Sequence, residues 1–164
     1  MPDPATVPVF RVGLISDTHG LLRPEALAAL RGADHIIHAG DTGKPFILEE
    51  LARLAPLTVV RGNNDTSEWA AGLADALSIE LAGMLVHVLH DIKELGKYED
   101  PGDARIIVAG HSHQPLVRLE AGVLHINPGS AGPQRFRLPI SVAMLTIQER
   151  TGEREAQAEI IRLL

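Results

Sequence analysis

Five clusters of oxygen and imidazole donors are spread along the chain, and each closes a short apolar run: Asp17-Thr18-His19, Gly40-Asp41, Gly62-Asn63-Asn64-Asp65, His90 and His111-Ser112-His113. A strand that ends in Asp, His or Asn holds that side chain on rigid backbone at the open edge of a sheet. Several such endings on one edge converge, and divalent cations can be shared between them. Two cations held in this way lower the pKa of a water and stabilise the attacking and leaving oxygens of a displacement, so the chemistry these residues suggest is metal-assisted hydrolysis.

Taken singly, each cluster has a plainer reading. Asp17 and His19 can offer a hard oxygen and a borderline nitrogen to one ion, or they can form an Asx-turn with an exposed imidazole. Asp41, between Gly40 and Gly43, can bridge two cations with its two oxygens or cap the helix that follows it. Asn63 is a neutral oxygen ligand or part of an ordinary turn. The His111/His113 pair, one small residue apart after Gly110, is the strongest fragment. His90 ends an apolar run, whereas His87 sits inside it and is assigned to packing or solvent. His35, His38 and His125 read as structural, with His38 able at most to orient a ligand from behind.

The elements that must position these donors alternate. Val9 to Ser16 reads as a buried strand, Glu25 to Leu30 after Pro24 as a helix, His35 to Ala39 as a strand, and Pro45 to Leu54 as a helix. Leu57 to Val60 is a third strand, and a helix is expected over Glu68 to Ala76. Strand, polar loop and helix in this rhythm imply a parallel α/β sheet with sites beyond the carboxyl ends of the strands. The second half turns to hairpins: Ser78 to Leu81 with Leu85 to Leu89, and Leu116 to Leu119 with Val123 to Ile126. Ile106 to Ala109 and Ser141 to Ile147 are further strands. Glu155 to Ile160 alternates Glu, Ala, Gln, Ala, Glu, Ile, and this two-residue period predicts a strand despite helix propensity.

The 164 residues, 45% of them hydrophobic, suit one domain spanning 1–164 with a real core. Aromatic residues make up 3% and the formal charge is −6, which argues against base stacking, a broad basic face and any stable nucleic-acid partner. A pair of cations would still make the site locally positive and attract a phosphate. Cysteine is absent, which excludes disulfides, thiolate metal sites and a cysteine nucleophile. Met1 to Pro8 lacks a basic start followed by an apolar stretch, and no segment approaches a membrane span of about 20 apolar residues, so a cytoplasmic protein without membrane association is expected.

In order, Asp17-x-His19, Gly40-Asp41, Gly62-Asn63, the strand-end His90 and Gly110-His111-x-His113 resemble the signature of the calcineurin-like metallophosphoesterase superfamily. The short chain, with Asn127-Pro128-Gly129-Ser130, resembles its small YfcE-type phosphodiesterases; the resemblance runs from Val12 to Ser130. It implies a four-layer α/β/β/α sandwich of two mixed β-sheets flanked by helices. It also implies one ion held by Asp17, His19, Asp41 and His113 and another by Asp41, Asn63, His90 and His111, with Asp41 bridging. The expected cofactor is a pair of divalent ions, Mn²⁺ first, with Fe, Ni or Zn as alternatives.

The expected reaction is hydrolysis of a small or accessible phosphodiester by in-line attack of metal-bound hydroxide. Asn64, Asp65 and His90 are the candidates for catalytic roles. The alternatives are phosphomonoester hydrolysis and a non-catalytic protein-binding scaffold of the same fold. Homo-oligomer formation is left open. Two positions depart from the resembled pattern. Asn64 stands where many relatives have His or Cys, and it cannot act as an acid; Asp91 stands where Gly is usual after the strand-end His.

Overall fold

The computed structural model describes residues 8–164, so the N-terminal reading over Met1 to Val7 lies outside it. Ten strands and two α-helices follow in the order β1 Val9–Ile15, α1 Pro24–Leu30, β2 His35–His38, α2 Pro45–Ala52, β3 Leu57–Val59, β4 Ala76–Leu81, β5 Met84–Leu89, β6 Ile106–Val108, β7 Leu116–Glu120, β8 Val123–Asn127, β9 Ser141–Arg150 and β10 Glu153–Arg162. They form two five-stranded sheets, ordered β10-β9-β1-β2-β3 and β4-β5-β6-β8-β7. In the first, β1, β2 and β3 are parallel, while β9 and β10 run antiparallel beside β1. In the second, β5, β6 and β8 are parallel and the two outer strands antiparallel. Both sheets are mixed, as expected.

Strand alternation builds the core. Val12, Leu14, Ile37, Ala143 and Leu145 face Val86, Val88, Ile106, Val108 and Ile126 across the interior between the sheets. The opposite-facing Ile15, Ile36 and Val142 meet Ala26 and Leu30 of α1 and Ile47 and Leu51 of α2, so both α-helices cover the first sheet. Each carries proline in its first turn, where the missing N–H has no intrahelical partner to lose. On the outer face of the second sheet, Leu89, Ile107 and Ala109 gather with Ala76 and Val123. Ile92–Glu94 beside it is a single 3₁₀ turn.

The helix expected over Glu68 to Ala76 is corrected to one 3₁₀ turn, Glu68–Ala70, and Ala76 opens β4. Tertiary pairing overrides the Ala-rich propensity: Arg61 N–H donates to the Ala74 carbonyl, and the Arg61 guanidinium grips both Asp75 oxygens at 2.8–3.0 Å. These contacts hold residues 74 and 75 extended beside the end of β3. The C-terminal strand is present and longer than its two-residue period indicated, pairing along its full length with β9. No described helix is long and apolar enough to cross a membrane.

Candidate metal centre

Every donor cluster follows a strand of one of the two parallel triplets. Asp17, Asp41 and Asn63 follow β1, β2 and β3; His90 and the His111/His113 pair follow β5 and β6. Parallel strands place their carboxyl ends on one edge, and the facing of the two sheets brings the two edges together. The backbone is bent for the purpose. Asp17, His19, Asp41, His111 and His113 all have left-handed φ values between 46° and 70°, which L-residues with side chains rarely adopt. Strain of this kind persists where surrounding contacts over-determine it, and it gathers at functional sites.

Asp17 is fully buried, and its Oδ2 accepts from Ser16 Oγ (2.7 Å) and from the His111 N–H (3.0 Å). Its Oδ1 has no hydrogen-bond partner and faces the Nε2 atoms of His113, His19 and His90 at 3.4, 3.7 and 3.8 Å. Burial alone would raise this carboxyl's pKa, but His113, His19, His90 and Ser16 outweigh it and hold it well below the usual range. Asp41 Oδ2 lies 3.2 Å from His90 Nε2 and 3.7 Å from His19 Nε2. Asn64 donates to Asp41 twice, through its N–H (2.9 Å) and its side-chain amide (3.0 Å). Burial again raises Asp41, and the His90 and Asn64 contacts lower it further than burial lifts it.

His90 donates Nδ1–H to the Ala39 carbonyl at 2.7 Å, which fixes the ring and turns Nε2 toward the two carboxylates. Burial disfavours its charge, but Asp41 and Asp17 raise its pKa to about 9. A cation entering here therefore displaces a proton. His111 is exposed; its Nδ1 lies 3.1 Å from Asn63 Oδ1 and 3.4 Å from His90 Nε2, and its Nε2 lies 3.7 Å from Asp91. Two donor groups result, Asp17-His19-His113 and Asp17-Asp41-His90, with Asn63 and His111 adjoining the second. Asp17 belongs to both groups, and Asp41 Oδ2 also faces His19 Nε2 of the first at 3.7 Å.

The residues fit divalent cations. Asp17 Oδ1 and His19 Nε2 are buried without hydrogen-bond partners, an arrangement that is costly unless something positive satisfies them. Mixed imidazole, carboxylate and amide donors suit first-row metals.

Asp65 stands apart from the cluster. Its Oδ2 accepts from the N–H groups of Asp41, Thr42 and Gly62 and its Oδ1 from that of Gly43, at 2.9–3.3 Å, so both oxygens are engaged with backbone amides. These contacts tie the loop after β2 to the loop after β3. His38, also buried, accepts from Gly40 N–H at Nδ1 and meets Thr18 Oγ1 at Nε2, bracing the first two loops against each other. His87 packs inside with its Nδ1 on Ser78 Oγ (2.8 Å), the packing side of the two places expected for it, and His35 meets Thr58.

Sequence reasoning gave no role to Ser16 and did not resolve what the 127–130 segment does. Asn127 donates to the Gly110 carbonyl and to Ser112 Oγ, and Ser130 Oγ donates to the Asp17 carbonyl. Their one signal was small polar residues at the ends of apolar strands. Two glycines close the packing. A Cβ on Gly62 would overlap Asp41, and one on Gly110 would overlap Ser16 Oγ and lie 2.6 Å from Asp17 Oδ2.

Two face-to-face mixed sheets with an Asp/His cluster at their joined carboxyl edge define a metallohydrolase. The chain belongs to the calcineurin-like phosphoesterase superfamily, whose domain model matches residues 10–150, and is accordingly a metal-dependent phosphoesterase. A probable metallophosphoesterase of Methanothermobacter thermautotrophicus is 36% identical, over 92% of this chain and 91% of its own length. A phosphodiesterase of Methanocaldococcus jannaschii is 27% identical over 73% of this chain and 83% of its own. Among solved structures, vacuolar protein sorting 29 of Cryptosporidium parvum superposes with a TM-score of 0.70 at 18% identity, covering 94% of this chain and 98% of that one. The phosphoesterase YfcE of E. coli does so at 0.66 and 21%, covering 94% and 100%.

Proposed function

We propose that the chain, acting as one domain, hydrolyses a small phosphodiester with two divalent ions. The observation that carries this reading is the pair of donor groups sharing Asp17, with its buried and unpartnered Oδ1. Asp17, His19, Asp41 and His113 would hold one ion and Asp41, Asn63, His90 and His111 the other, with Mn²⁺ the expected metal and Fe, Ni or Zn the alternatives. When bound, the ions supply Lewis-acid activation of a water and of the phosphoryl oxygens. The protein keeps His90 in the Nε2-presenting tautomer, and Asn64 aims the Asp41 carboxylate.

Charge supports a diester over a monoester. Beside His90 and His111 lies a cavity of about 230 Å³ whose lining includes Asp91 and Glu94, and Asp75 paired with Arg61. A phosphodiester brings one negative charge there and a phosphomonoester up to two, so the acidic wall disfavours the monoester. The name of the Methanocaldococcus relative points the same way. A cytoplasmic setting suits a cysteine-free chain. The scaffold alternative, to which the likeness to vacuolar protein sorting 29 gives weight, requires no bound ions.

The deciding experiment loads purified protein with Mn²⁺, counts ions per chain by elemental analysis, and follows bis(p-nitrophenyl) phosphate and p-nitrophenyl phosphate with and without chelator. Two ions per chain and chelator-sensitive diester turnover are expected. Loss of a group that acts as part of such a unit costs about 10³-fold or more in rate, so Asp41→Asn and His113→Ala should each lose metal and turnover together. A folded protein that takes up no metal would favour the scaffold.

A further inference from the structure

A strand at the edge of a sheet exposes unpaired N–H and C=O groups, and proteins blunt such edges by shortness, charge, proline or cover. Four edges exist here, and they differ in what they offer a partner. β3 is three residues long. β10 is charged along its length, with Glu153, Arg154, Glu155, Glu159 and Arg162. β4 has Leu77 and Ile79 packed into the core, so it has little free apolar surface to offer a partner. β7 is different: all five of its residues are exposed, it holds neither proline nor lysine, and Leu119 is 71% exposed.

We propose that β7 is a self-complementary edge through which two copies of this chain pair antiparallel about a two-fold axis at Leu119. Residues opposed across an antiparallel pair lie on one face of the sheet. Val117 and Leu119 oppose Ile126 and Leu124 and so face the inner side, while Leu116, Arg118 and Glu120 face outward. Two copies of one strand keep the same faces aligned only if the axis falls on a residue.

An axis at Arg118 sets that cation against itself. An axis at Val117 opposes Leu119 to Pro115, which has no N–H, and Arg118 to Leu116. An axis at Leu119 opposes Arg118 to Glu120 of the second copy twice over and lays Leu119 on Leu119, covering the most exposed apolar group of the strand. Arg118 and Glu120 already stand 3.0 Å apart within one strand, so the pairing makes a four-charge cluster of alternating sign. The contact is isologous and closes at two.

β7 begins three residues after His113, so antiparallel pairing sets the metal centre of one copy beside the 121–122 turn of the other. The two centres open at opposite ends, and neither borrows a residue from its neighbour. Disrupting the pair should therefore leave ester turnover intact.

The native chain has no cysteine, which permits a clean test. Residues opposed in an antiparallel pair have Cα atoms about 4.5–5.5 Å apart, within the 4.4–6.8 Å or so that a disulfide spans. Leu119→Cys should give a covalent dimer on mild oxidation. Val117→Cys should not, because its two copies would be offset by four residues, about 13 Å. By sedimentation over a series of chain concentrations, the unmodified protein should reach a dimer. Leu119→Lys should be monomeric with unchanged circular dichroism. Arg118→Glu should weaken the dimer at least tenfold, and adding Glu120→Arg should restore it. A monomeric unmodified chain, equal cross-linking at 117 and 119, or a double swap no better than the single one overturns the assignment.

Discussion

Asn64 touches both oxygens of Asp41 and is itself exposed, so it stands at the mouth of the centre as a donor of hydrogen bonds and not of protons. A positioned acid accelerates departure of a poor leaving group by about 10²- to 10⁴-fold. The turnover of aryl and alkyl diesters should therefore fall steeply with leaving-group pKa, and Asn64→His should flatten that dependence chiefly for the poorest leaving groups. A kcat/KM series across phenols of graded acidity measures the slope; a flat series for the unmodified protein refutes the account. Asp91 works through charge. Its carboxylate lies 3.7 Å from His111 and caps the turn that follows through the Lys93 N–H. Asp91→Gly should raise kcat/KM for monoesters relative to diesters about tenfold, near 1.4 kcal/mol. An unchanged ratio in side-by-side kinetics dismisses the idea.

At the scale of elements, the site depends on two parallel triplets whose carboxyl ends meet, and on glycines that let the loops touch. Gly110 ends the segment after β6 with Ser16 and Asp17 against it, leaving no room for a methyl group. Gly110→Ala should shift Asp17 and lower Mn²⁺ affinity at least tenfold, while the melting temperature with excess chelator falls by only a few degrees, as for about 1 kcal/mol. Metal titration and calorimetry separate the two effects. Much of this was legible in the residues. Asp17, His90, His111 and His113 are donors that each close an apolar run, and it is their order along the chain that separates them from ordinary turn residues. Asn63, Asn64 and Asp65 are three polar neighbours of similar shape, and type alone cannot assign them. Only the fold turns Asn63 toward His111, Asn64 toward Asp41 and Asp65 into the backbone amides. The 68–76 segment misled for a related reason: its local propensity was helical, but the pairing of Arg61 with residues 74 and 75 is long-range.

For the whole molecule, the brace between the loops after β1 and β2 ties stability to pH. His38 is fully buried, accepts a backbone N–H at Nδ1 and has its Nε2 on a hydroxyl that in turn donates to the Thr42 carbonyl. Burial is the largest influence on it, and despite Asp17, Asp65 and Asp41 nearby its pKa falls from 6.5 to about 4. Between those values the unfolded chain binds a proton that the folded chain refuses, so folding stability rises with pH across this window. The contribution is fully present above pH 6.5 and is lost as pH drops toward 4, amounting to about 3 kcal/mol when the pKa difference is converted. Protonation would also set a donor against the Gly40 N–H, so acid should loosen the Asp17 and Asp41 loops before the sheets separate. Urea titrations of the metal-free protein at pH 7 and pH 5 should show a larger loss for the native chain than for His38→Gln, whose amide can keep both contacts without titrating. Equal losses in the two proteins would place the acid sensitivity elsewhere, on groups that titrate in both.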